Sequence, residues 1–180
     1  MLNKNQIGKA IFIFAIFLLL STFFIYFLGI IHEIAHFVSC EGFGGNASIE
    51  ISLLSNPPKY ITHCPELNSL SPLRTFIVIY SPYWISALLM ICFFIFVKVK
   101  NFVYLAFPTA ILLGDWFNIS DIIFKSPTIS NDFFAAYLLL GKNSIWAMFF
   151  PIFLTTLFYL MILRNVDYFK QRKSKELKKK

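Results

Sequence analysis

From Ala10 to Ile31 the chain runs 22 residues without a charged side chain, and the run ends on His32-Glu33-Ile34-Ala35-His36. A helix of that length and character covers the roughly 30 Å hydrocarbon core of a bilayer. Residues four apart lie on one face of a helix, so the imidazoles of His32 and His36 can grip a single metal ion. Glu33, beside the first of them, is placed to act as general base towards a water next to that metal. Ionisable groups held at membrane depth are costly and are functional by default. The cluster therefore reads as a zinc site in preference to a snorkelling interfacial group.

The rest of the chain agrees with a bilayer setting. It is 58% hydrophobic, 19% aromatic and only 14% charged, with a mean hydropathy of +0.70. A soluble domain of 180 residues has no use for so much apolar surface. Four spans are expected: Ala10 to Ile31, Thr75 to Val97, Phe102 to about Phe124, and Ser144 to Leu163. The first is too long for the apolar region of a cleaved leader and no small-residue cleavage pattern follows it, so it reads as a retained helix. With four spans, 12 of the 16 Lys and Arg fall on the side of the termini and the turn Lys98-Val99-Lys100. Only Lys59, Arg74, Lys125 and Lys142 fall on the other. This asymmetry places both termini in the cytoplasm. The net charge of +7 resides mostly in the tail 164–180, which reads as an anchor against anionic headgroups and not as a nucleic-acid binder.

Between the first two spans, Glu41-Gly42-Phe43-Gly44-Gly45-Asn46 should break the helix, because clustered Gly and Asn favour turns. In Ala47 to Leu53 the residues Ile49, Ile51 and Leu53 alternate with polar ones, a strand signal. That strand is either part of a surface hairpin or an edge beside the metal that pairs with an extended substrate. Cys40 and Cys64 share this loop and could form a disulfide in an oxidising exterior. Cys92 reads as apolar filler. Asn46-Ala47-Ser48 is a formal glycosylation acceptor of little weight. Pro82 should kink the second helix, and a gate there is conceivable. Asp132 to Leu140 reads as a short interfacial helix, capped by Asn131 and ended by Gly141.

A catalytic zinc usually has three protein ligands. Beyond His32 and His36 the residues leave His63, Glu66, Asp115 and Asp121 open. With His-Glu-x-x-His ending a membrane helix, a Gly-rich stretch and strand after it, and an Asp on a later apolar helix, the chain resembles the site-2 protease family of intramembrane zinc metalloproteases. The resemblance implies zinc ligands His32, His36 and Asp115, the catalytic residue Glu33, and a core over residues 10–124. Ala35 stands where the family usually has Gly, and Gly114 precedes Asp115 instead of following it, so the resemblance is to a divergent, minimal member. Depth along an ideal helix favours Asp121 over Asp115, while the Gly-Asp context favours Asp115. Asn118, one turn on, could donate to a substrate or oxyanion.

The sequence thus leads to one integral membrane domain over residues 1–180. It would be all-α and polytopic, with about four transmembrane helices, a small β element after the first and a short interfacial helix before the last (span 144–163). The resemblance implies a zinc-dependent intramembrane endopeptidase. Its partners would be the lipid bilayer and a membrane-protein substrate helix, with no nucleic acid. The alternatives are a non-enzymatic metal-binding or helix-binding membrane protein (a pseudoprotease, sensor or transporter) and a membrane metallohydrolase of a non-peptide substrate.

Overall fold

The computed structural model describes residues 4–52, 59–99, 102–124 and 132–177. Helix α1 spans Lys4–Gly42, strands β1 and β2 are Ser48–Ser52 and Lys59–His63, and a 3₁₀ turn follows at Pro65–Ser69. Then come α2 (Pro72–Phe96), a 3₁₀ turn (Phe102–Leu105), α3 (Ala106–Phe124), α4 (Asp132–Leu140) and α5 (Lys142–Leu177). The protein is mostly helical, with one two-stranded antiparallel sheet pairing Ser48 with His63 and Ser52 with Lys59.

Three of these helices are long and apolar enough to cross a membrane: α1 over Gln6–Gly42, α2 over Pro72–Phe96 and α5 over Lys142–Val166. Among the described residues α3 is not one of them. The third expected span is divided. Phe102–Leu105 winds as a 3₁₀ turn, and the 19 residues of α3 measure about 28 Å at 1.5 Å per residue, just short of a hydrocarbon core. The outer face of α1 leaves Ile11, Phe12, Phe14, Leu19 and Phe23 more than half exposed. Each such side chain is worth roughly 1.5–3 kcal/mol when it leaves water. Five of them rival the whole stability of a typical domain, about 5–15 kcal/mol. An apolar surrounding is what this surface fits.

Helix α1 ends where its glycines allow. Gly44 takes φ 82°, a conformation that favours glycine, and the amides of Phe43 and Gly45 both return to the Cys40 carbonyl. A Cβ on Gly45 would sit 2.5 Å from Cys40 Sγ, so the loop passes against the sulfur with no room to spare. That sulfur is disulfide-bonded to Cys64, with the two Cα atoms 6.2 Å apart. The sequence had left this pairing open. The bridge ties the end of α1 to the residue after β2.

Strand β2 completes a hairpin with β1, one of the two readings the sequence offered for this loop. It lies against α1: the Tyr60 ring is 3.3 Å from the position of a Cβ on Gly29, and Thr62 Oγ1 donates to the Glu33 carbonyl at 2.8 Å. At the other end of α2, Met90, Phe93, Leu105, Ile111, Ile162 and Val166 form one buried cluster. Nearer the hairpin, Ile79, Tyr80 and Tyr83 of α2 pack with Ala136 of α4 and with Met148 and Ile152 of α5. This second cluster holds α4 in place. Gly141, at φ 82°, ends α4, as the sequence suggested, and lets α5 begin at once. Asn131, expected to cap α4, lies outside the described residues.

Candidate metal centre

The apolar motif helix and the short helix α4 meet at three side chains. His32 and His36 project from α1, and Asp132 opens α4. Their ligand atoms all lie within 4.8 Å of one another. His32 Nε2 is 3.0 Å from Asp132 Oδ2, and His36 Nε2 is 3.1 Å from Asp132 Oδ1. The two rings meet edge to face, with centroids 4.9 Å apart. Donors held about 2.0–2.1 Å from one tetrahedral zinc sit roughly 3.3 Å from each other. The two nitrogen-to-carboxylate distances, each to its own oxygen, are close to that.

The second ring nitrogen of His36 fixes the first. His36 Nδ1 lies 2.8 Å from the Val78 carbonyl oxygen, in a buried contact. A carbonyl only accepts, so Nδ1 carries the proton and Nε2 is the ring nitrogen turned towards the site. That Nε2 is buried and makes no hydrogen bond among the described residues, although the carboxylate is within 3.1 Å. A buried nitrogen without a hydrogen bond, set between a carboxylate and a second imidazole, fits a cation there. Asp132 receives one more donor, the hydroxyl of the buried Tyr83, at 3.0 Å from Oδ2. Burial by itself would raise the Asp132 carboxyl. The His36 and His32 rings outweigh it and hold the group well below the usual carboxylate range.

Glu33 lies half-buried on the same turn of α1, near enough to His36 and Tyr83 for its charge to act on both. Its backbone is pinned to β2 through Thr62. The chemistry-bearing face of α1 is thus held from two sides, by the hairpin and by α2.

Asp115, the expected third ligand, stands outside this cluster. It is 3% exposed, with the hydroxyls of Ser86 on α2 and Thr155 on α5 as its hydrogen-bonding neighbours. Its Oδ2 is buried without a hydrogen bond among the described residues, and it lies near enough to His32 for the two charges to interact. Asp121 lies on α3, but its side chain is outside the described residues. Asn118 is half-buried on α3. The two loop candidates serve the hairpin. His63 pairs with Glu50 at 3.7 Å, both exposed, and Glu66 Oε2 accepts the Asn46 amide at 2.9 Å. Glu66 also neighbours Cys40 and Cys64, but sulfurs joined in a disulfide have no thiolate to offer a metal.

Asp132 had been read only as the start of a helix. The signal for more was its setting: an acidic residue opening the strongly apolar stretch Phe133 to Leu140, where a carboxylate needs a partner. Comparison of the chain with protein-family models, curated proteins and solved structures gives no match.

Proposed function

We propose that the protein is a zinc-dependent endopeptidase of the membrane interior, acting on transmembrane segments of other membrane proteins, after the pattern of the site-2 protease family. The observation that carries this reading is the convergence of His32, His36 and Asp132, with Glu33 on the same helical turn, inside an apolar bundle. His32, His36 and Asp132 would hold the ion. Bound there, zinc supplies Lewis acidity, polarising a carbonyl and easing deprotonation of water.

The chain's own residues do the rest. Glu33 takes the proton from the attacking water and can return it to the leaving amine. Val78 and Tyr83 fix the orientation of His36 and of Asp132. The substrate helix must unwind locally, since an intact helix keeps its amides in its own hydrogen bonds.

The test uses the purified protein in liposomes with single-span membrane substrates. Wild type should carry about one zinc per chain, as a three-ligand site would, and should release fragments unless a chelator is present. A second reading draws on the same cluster, since holding an ion needs His32, His36 and Asp132 but no base. A metal-binding protein without hydrolytic activity would hold zinc and cleave nothing across the panel. Failure to bind zinc at neutral pH would remove both readings.

A further inference from the structure

Helix α2 runs unbroken from Pro72 to Phe96 with Pro82 inside it. In a regular helix the amide of residue 82 would donate to the carbonyl of residue 78. Proline has no amide hydrogen, so that carbonyl is released. The released carbonyl is Val78 O, the acceptor of His36 Nδ1 at 2.8 Å. The site is deeply buried: Val78 is 2% exposed and the Pro82 side chain is fully covered.

We infer that Pro82 is a positioning residue of the metal centre: by withholding its amide it frees the Val78 carbonyl to set the tautomer and orientation of His36. The inference rests on the metal-site reading above. A carbonyl oxygen has two lone pairs. One accepts from His36. The Ser81 hydroxyl, 3.1 Å away, can fill the other. An amide restored at position 82 would be a third donor to an oxygen with two places. The imidazole, at the end of a side chain, yields more easily than a backbone amide fixed in the helix.

Ser81 and Ser39 make the arrangement tighter. Their hydroxyls are 3.0 Å apart, and Ser81 Oγ is also 3.2 Å from the Ala35 carbonyl. The helices therefore meet on small side chains at the turn that carries His36. That close approach lets a ring on α1 reach a backbone oxygen of α2. A kink alone would not produce this bond, because the carbonyl must also be left without its helical partner.

The experiment compares three full-length proteins in detergent: wild type, Pro82→Ala, and a chain with lactate in place of Pro82. Lactate forms an ester, which like proline has no N–H but lacks the ring. Zinc affinity is read by competition with a chromogenic chelator, and the His36 tautomer by ¹⁵N NMR of the metal-free protein. Pro82→Ala should bind zinc about 10- to 100-fold more weakly, the usual cost of losing an outer partner of a ligating histidine, and should lose the fixed Nδ1–H signature. The lactate chain should match wild type in both. Equal affinity and tautomer in wild type and Pro82→Ala would overturn the inference. So would equal loss in the alanine and lactate chains, which would assign the effect to the ring. If wild type holds Nδ1–H and the alanine chain does not, yet no chain binds zinc, the metal reading fails and Pro82 is left with the setting of the His36 tautomer alone.

Discussion

The Tyr83 hydroxyl donates to the same Asp132 oxygen that His32 Nε2 contacts, each at 3.0 Å. One carboxylate oxygen of α4 thus gathers a donor from α2 and a ring from α1. Outer partners of this kind orient a ligand without touching the metal. Tyr83→Phe removes the hydroxyl and keeps the buried ring. Zinc affinity should fall about 10- to 100-fold, with the helical far-UV spectrum unchanged. Chelator competition measures the first and circular dichroism the second.

Asp132 and Asp115 make opposite predictions. Asp132→Asn removes a charged donor from the cluster, so zinc content should drop from about one per chain to a small fraction, as expected for a site reduced to two strong ligands. Asp115→Asn should leave zinc content close to wild type, because its carboxyl is not among the ligand atoms that converge on the two histidines. Metal analysis of both proteins after loading and dialysis decides between them. Loss of zinc in Asp115→Asn alone would return the third-ligand role to α3.

Glu33→Gln preserves shape and leaves His32 and His36 in place. It removes the base, so cleavage should fall about 10²- to 10⁴-fold while zinc stays bound. Fragment yield and metal content, measured on one preparation, separate the two effects.

The Cys40–Cys64 bridge closes a loop with a sequence separation of 24. Chain-entropy reasoning gives a stabilisation of about 3 kcal/mol for such a loop. Cys40→Ser with Cys64→Ser should therefore unfold at clearly lower denaturant than the oxidised protein. The hairpin should also loosen first, which hydrogen exchange at Tyr60 to Thr62 would report. Exchange in that strand identical to wild type would show that Thr62 and Tyr60 hold it to α1 unaided.

The expectation that both termini are cytoplasmic holds only if α3 crosses as a fourth span beside the three membrane-length helices. A reporter or cysteine-labelling scan should find residue 60 outside and residue 175 inside. The disulfide beside β2 is in keeping with an oxidising exterior on that side. The reverse labelling pattern would move the centre to the cytoplasmic face.

The local features of this protein could be read in order along the chain. The uncharged run before His32 required a long apolar helix. The spacing of His32 and His36 required a shared face, because helical periodicity is a property of the backbone alone. The break at Gly44 and the stop at Gly141 followed from the φ values that glycine permits. The strand at Ser48–Ser52 came from alternation.

What the sequence could not choose was the partner of the two histidines. Asp115, Asp121, His63 and Glu66 all had suitable chemistry, and Asp132 looked like the opening residue of an interfacial helix. The choice depends on which helix faces turn together, and that is set by the packing of Tyr80 and Tyr83 against Ala136, Met148 and Ile152. The same holds for Pro82. From the sequence it read as a kink in the second helix. Only the close approach of α1 to α2, at Ser39 and Ser81, decided that His36 would be the group to use it.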